Sequence, residues 1–142
     1  MKTRYRYIIA FIVLALVAAV IIWKYTFRPS GTDVAAEKAD VIIDAAGLLQ
    51  SFETNEAEAN TLYLGKILIV TGTVESVSED TLGISVYLKS SDAVAGVICS
   101  FDKKNPDVQA LEKGTPASIK GICTGYLLDV VLNKCSIEPP VN

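Results

Sequence analysis

Residues 96–123 read GVICSFDKKNPDVQALEKGTPASIKGIC. Val97, Cys99 and Phe101 fall on one face of an extended segment, which predicts a strand over Gly96–Phe101. Asp102, Lys103 and Lys104 break the pattern, and Asn105 is a good cap for a short helix with Pro106 at its first position, running to Glu112. Gly114-Thr115-Pro116 stops that helix, and Ala117 to Cys123 is extended again. A short helix therefore sits between two strands.

Upstream, Ile67, Ile69, Thr71 and Thr73 alternate with Leu68, Val70, Gly72 and Val74, a β-branched strand with a bend or bulge expected at Gly72. Ser76 to Thr81 reads as a polar turn. Leu82 to Lys89 is a second strand, with Ile84, Val86 and Leu88 inward and Ser85, Tyr87 and Lys89 outward. Ser90, Ser91 and Asp92 turn the chain into the strand at Gly96. Downstream, Thr124 to Leu127 is a turn, Leu128 to Ile137 is a fifth strand, and Pro139-Pro140 closes the domain. Three strands in a meander, a helix and two more strands are the connectivity of the OB-fold, a five-stranded Greek-key barrel. Another small barrel or sandwich with an incidental helix is the competing architecture.

Before the strands, residues 33–49 show apolar positions at helical spacing: Val34, Ala35, Val41, Ile42, Ala45, Leu48 and Leu49. They predict an amphipathic helix capped by Thr32 or Asp33 and continuing to about Phe52. Asn55 caps a second helix, Glu56 to Tyr63, whose acids sit in its first turn, and Gly65 ends it.

The N-terminus differs in kind. Tyr7 to Trp23 is 17 residues without a charge, bounded by Arg6 and Lys24. A membrane-spanning helix needs about 17–25 apolar residues. A cleaved signal peptide is the alternative, with Val17-Ala18-Ala19 as its small-residue site, but the apolar run continues past it. The excess of positive charge before the run predicts a cytoplasmic N-terminus, with the domain outside the inner membrane. The expected organisation is a cytoplasmic tip and transmembrane anchor over 1–28, a linker over 29–32, a helical segment over 33–64 that packs on the barrel, and the barrel over 65–138.

Charge narrows the function classes. Residues 29–142 hold eight basic and sixteen acidic side chains, a net of −8, and no arginine. Such a domain repels polyanions and anionic lipid surfaces. With no histidine in the chain, the commonest general base and metal ligand is missing, and neither a nucleophile–base pair nor a metal set stands out. The reading is non-enzymatic, without cofactor or metal.

Several segments together resemble a known family. They are Phe52-Glu53-Thr54-Asn55-Glu56 with Ala59, Tyr63-Leu64-Gly65-Lys66, Val70-Thr71-Gly72-Thr73-Val74, Val97-Ile98-Cys99-Ser100-Phe101, Lys120-Gly121-Ile122-Cys123-Thr124-Gly125, and Asp129 to Cys135. As a set they resemble the tRNA_anti-like proteins, OB-fold domains of bacterial envelope proteins and lipoproteins. The resemblance implies an OB-fold preceded by helices and, by analogy with anticodon-binding domains, nucleic-acid binding. The sequence departs from the lipoprotein members in having no cysteine for lipidation near the end of its apolar run.

An OB-fold that binds single strands offers stacking aromatics and a basic groove. The matching residues are Tyr87, Phe101 and Tyr126 with Lys89, Lys103, Lys104 and Lys120. Tyr87 is the better stacking candidate, whereas Phe101 shares parity with the core. Glu75 and Asp129 read as lone, solvated acids. Cys123 and Cys135 could bridge the last hairpin, Cys99 with Cys123 is the other pairing, and three reduced buried thiols are the third possibility. The charge favours an envelope protein or glycan as partner over nucleic acid.

Overall fold

The computed structural model describes residues 2–26, 33–89 and 94–140, with side chains in the first helix described at Arg4 and from Tyr7 to Ile22. The chain divides into two compact units, Met1–Thr32 and Asp33–Asn142. The first is helix α1, Lys2–Thr26. Among the described residues, no helix is long and apolar enough to cross a membrane, so the structure lends no support to the transmembrane anchor expected over 1–28. The expected linker and the turn at Ser90 to Asp92 lie outside the described residues.

The second unit runs β1 (Val41–Asp44), α2 (Ala45–Thr54), α3 (Glu56–Tyr63), β2 (Ile67–Glu79), β3 (Ile84–Lys89), β4 (Gly96–Phe101), a 3₁₀ helix (Pro106–Ala110), β5 (Pro116–Tyr126) and β6 (Val130–Glu138). Around the barrel the order is β2-β3-β4-β6-β5, and β5 returns to β2. The β4–β6 pair is parallel and the other barrel pairs are antiparallel. This is the OB arrangement. β2 closes it by serving two neighbours in turn: Ile67–Thr73 pairs with β5 and Thr73–Glu79 with β3.

The bulge in β2 lies between Val74 and Ser76, past the expected position at Gly72. Gly72 is a point of close approach, where an added Cβ would lie 3.2 Å from the Ala45 Cβ and 3.3 Å from the Leu88 Cβ. The expected polar turn over Ser76–Thr81 is instead strand as far as Glu79. Its hydrogen bonds come from β3, so it needs no apolar face of its own.

The helix expected over 33–49 is corrected more substantially. Val41–Asp44 is a strand lying parallel to Leu68–Thr71, and Asp40 fastens its start by accepting a 2.9 Å bond from the Ile67 N–H. The β-branched run Val41-Ile42-Ile43 suits an extended chain. Asp44 then caps α2, accepting from the Gly47 N–H at 3.0 Å. From there the helical spacing holds: Ala45, Leu48, Leu49 and Phe52 are all buried in the core. Asn55 caps α3 as expected, and Gly65 takes a φ of +75° at its end.

The inward residues of β3 and β4 are the predicted ones: Ile84, Val86 and Leu88, and Val97, Cys99 and Phe101. Asn105 and Pro106 open a 3₁₀ helix, shorter than the one expected, which puts Val108 into the core.

Candidate binding cleft and outer sheet face

Pleating of β2, β3 and β4 sends one set of side chains outward. Register places Thr73 opposite Lys89, Ser76 opposite Tyr87, Ser78 opposite Ser85, Tyr87 opposite Ile98, and Ser85 opposite Ser100. The outer face is thus mostly hydroxyl, and Lys89 is the cation at these register positions.

Tyr87 is held. Its hydroxyl donates to Asp129 Oδ1 at 2.8 Å, and the Gly96 N–H donates to the same oxygen at 2.8 Å. Parallel pairing of β4 with β6 begins at Val97 opposite Val130, so Gly96 and Asp129 stand side by side just before it. Gly96 has to be small. A Cβ there would run into the Leu88 carbonyl oxygen and come within 3.0 Å of the Tyr87 ring. Asp129 is therefore a structural acceptor, not a lone solvated acid. Glu75 is not alone either, since Lys113 Nζ lies 3.3 Å from its Oε1.

Partial burial pushes the Tyr87 phenol up to about 12, helped by the bond to Asp129 and by the charges of Asp129 and Glu75. A raised folded-state value stabilises the fold fully below the ordinary value of 10.0 and loses that contribution as pH climbs toward about 12. Unfolding free energy measured across that window is expected to fall more steeply for the parent than for Tyr87→Phe. Identical slopes would contradict the Tyr87–Asp129 bond.

The other candidate residues separate. Phe101 is a core side chain. Lys120 is only 6 % exposed; its Nζ lies 3.1 Å from Glu138 Oε1 and 3.3 Å from the Ala35 carbonyl oxygen, so it offers no charge to a ligand. Lys103 and Lys104 are exposed in the loop after β4. Near them, the N–H groups of Leu82 and Gly83 hold the Asp80 carboxyl below the usual range, with a smaller pull from Lys103. Lys89 lines a hollow of about 360 Å³ with Asp44, Ala45 and Thr71.

Tyr126 is the last residue of β5, not part of a turn. Its ring stacks on Phe52, centroids 5.3 Å apart and planes at 22°. Tyr87 and Tyr126 meet in one cleft of about 540 Å³, also lined by Glu53, Val94, Ala95, Leu128 and Asp129. Sequence reading missed the last five. The available signal was Leu127-Leu128-Asp129, two leucines in a tight turn where polar residues are the rule.

Among the described residues, no group of three or more Cys, Asp or Glu is placed to hold a metal. The cysteines are free and buried. The bridge between Cys123 and Cys135 is not formed, because register sets Cys123 opposite Leu132. β6 carries an extra residue between Asn133 and Ser136, where Lys134 takes a φ of 54°, and this turns Cys135 inward. Gly121 makes room for it: an added Cβ would lie 2.7 Å from Cys135 Sγ. Burial pushes the Cys99 thiol well up, and Cys135 beside it adds to the shift.

Comparison with known proteins agrees with this architecture. The model of the tRNA_anti-like family matches residues 1–137. The chain belongs to the tRNA_anti-like family. Among solved structures, this tRNA_anti-like chain is similar to a protein of Klebsiella pneumoniae provisionally described as a nucleic acid-binding lipoprotein. They share 22 % identity and a TM-score of 0.59, over 79 % of this chain and 100 % of that one. An OBody bound to hen egg-white lysozyme matches at 18 % identity and a TM-score of 0.42, over 54 % of this chain and 84 % of that one. Asparaginyl-tRNA synthetase of Entamoeba histolytica matches at 18 % and 0.40, over 54 % of this chain and 22 % of the enzyme. No curated protein matches. The tRNA_anti-like domain is an OB-fold binding domain, and at 22 % identity the Klebsiella protein speaks to its fold alone.

Proposed function

We propose that this tRNA_anti-like protein is a membrane-anchored, non-enzymatic binding module of the bacterial envelope that engages a protein or glycan partner. The observation that carries the reading is the carboxylate of Asp129 fixed against Tyr87. Where a single-strand-binding OB-fold would present a free aromatic beside cations, this domain presents a tyrosine tied to an acid. Lys120 is spent inside the fold, Phe101 is core, and the outer face carries hydroxyls suited to neutral or polar partners. The net of −8 on residues 29–142 points the same way.

Anchoring rests on the uncharged run Tyr7–Trp23 and its flanks. More positive charge before the run than after it sets the N-terminus in the cytoplasm and the domain outside the inner membrane. A reporter enzyme that is active only outside the cytoplasm, fused after Asn142, is expected to be active. Activity only from a cytoplasmic-side reporter would overturn the reading.

The second reading is a single-strand nucleic-acid binder. The description of the similar Klebsiella protein favours it, as do the exposed Lys103 and Lys104.

A further inference from the structure

We infer that the cleft between Tyr87, Tyr126 and Asp129 docks a segment of a partner protein that carries a lysine or arginine beside apolar side chains. The inference rests on the binding-module reading above and narrows its partner to a protein. The cleft's volume of about 540 Å³ falls within the range of about 300–1,000 Å³ over which protein sites hold ligands.

Its chemistry is two-sided. Glu53 from α2 and Asp129 from the β5–β6 turn supply carboxylates, and among the described residues none that lines the cleft is basic. Among the described residues, the Asp129 carboxylate receives two hydrogen bonds, both on Oδ1, and none reaches Oδ2. The rim is aliphatic. Val94 is fully exposed and Leu128 is 78 % exposed, with Leu127 beside it in the turn at 89 %. Apolar side chains gathered at the mouth of a cleft mark an interaction surface more than scattered ones do.

An arginine or lysine stem packs on aliphatic and aromatic surface while its head reaches a carboxylate. That combination matches every wall of this cleft. A neutral glycan would leave the carboxylates of Glu53 and Asp129 without a counter-charge and the exposed Val94 and Leu128 without an apolar partner. A nucleic-acid strand would bring phosphate to Glu53 and Asp129.

The test uses the full chain in zwitterionic nanodiscs and a short fluorescent peptide of alternating leucine and arginine. Binding is expected for this peptide and not for versions with glutamate replacing arginine or serine replacing leucine. Asp129→Asn keeps an acceptor oxygen for the Gly96 N–H and Tyr87, and Leu128→Ser and Glu53→Gln alter exposed positions, so the fold is retained; melting curves check this. Asp129→Asn and Leu128→Ser are each expected to weaken binding about tenfold or more, and Glu53→Gln to weaken it less. Equal binding of the leucine–glutamate peptide, unchanged binding in all three variants, or no binding of the leucine–arginine peptide would overturn the inference. Any of these results alongside an extracytoplasmic reporter overturns the cleft alone. Single-stranded RNA competing at the cleft overturns the binding-module reading as well.

Discussion

Replacing Phe52 with alanine is expected to destabilise the domain by about 3–5 kcal/mol, the usual range for deleting a buried aromatic. Phe52 lies on the buried stripe of α2 and is 1 % exposed. Its ring faces Tyr63 of α3 at 6.0 Å and Tyr126 of β5 at 5.3 Å. One side chain therefore joins both helices to the barrel. Aromatic pairs add about 0.5–1.5 kcal/mol beyond burial. Phe52→Leu keeps most of the buried area and loses the stacking, so about 1–2 kcal/mol is expected for it. Domains of this size are stable by about 5–15 kcal/mol, so the alanine variant would sit near the edge of folding. Urea unfolding of parent and variants measures both values. A loss below about 1 kcal/mol for alanine would mean that α2 is not part of the cooperative core.

The second large effect is an asymmetry. Glu138→Ala is expected to cost about 3–5 kcal/mol, because it strands the buried Lys120 ammonium with one carbonyl partner, Ala35. Lys120→Met is expected to cost about 1 kcal/mol or less. It keeps the packing of the stem and leaves a carboxylate whose side chain is 23 % exposed and reachable by water. The same denaturation experiment reads both. Equal costs would show that Lys120 is hydrated and the pair superficial.

These two sites also mark where sequence reading succeeds and stops. The stripe Ala45, Leu48, Leu49 and Phe52 is local, and so is the alternation of Ile84, Val86 and Leu88. Each is written in neighbouring residues, and the strand–helix–strand order around Asn105-Pro106 suffices to point to the barrel. What the local pattern does not carry depends on distant partners. Val41–Ile43 is strand because Leu68–Val70 lies beside it, while its spacing alone continues the helical stripe of α2. Lys120 is a lysine at a buried position, made tenable by Glu138. Tyr87 is outward by parity, as expected, but its hydroxyl finds an acid 42 residues further along the chain. Cys135 turns inward through one extra residue in β6, an event that hydropathy does not record. The cleft follows the same rule: Glu53, Val94 and Asp129 come from three separate segments that only the closed barrel assembles.

The most direct test of the account is a salt titration of the full chain in zwitterionic nanodiscs against single-stranded RNA and DNA. The acidic domain, with Tyr87 tied to Asp129 and Lys120 buried, predicts no measurable binding even at about 50 mM salt. Tight binding that falls steeply as salt rises and is weakened by Tyr87→Ala would contradict it.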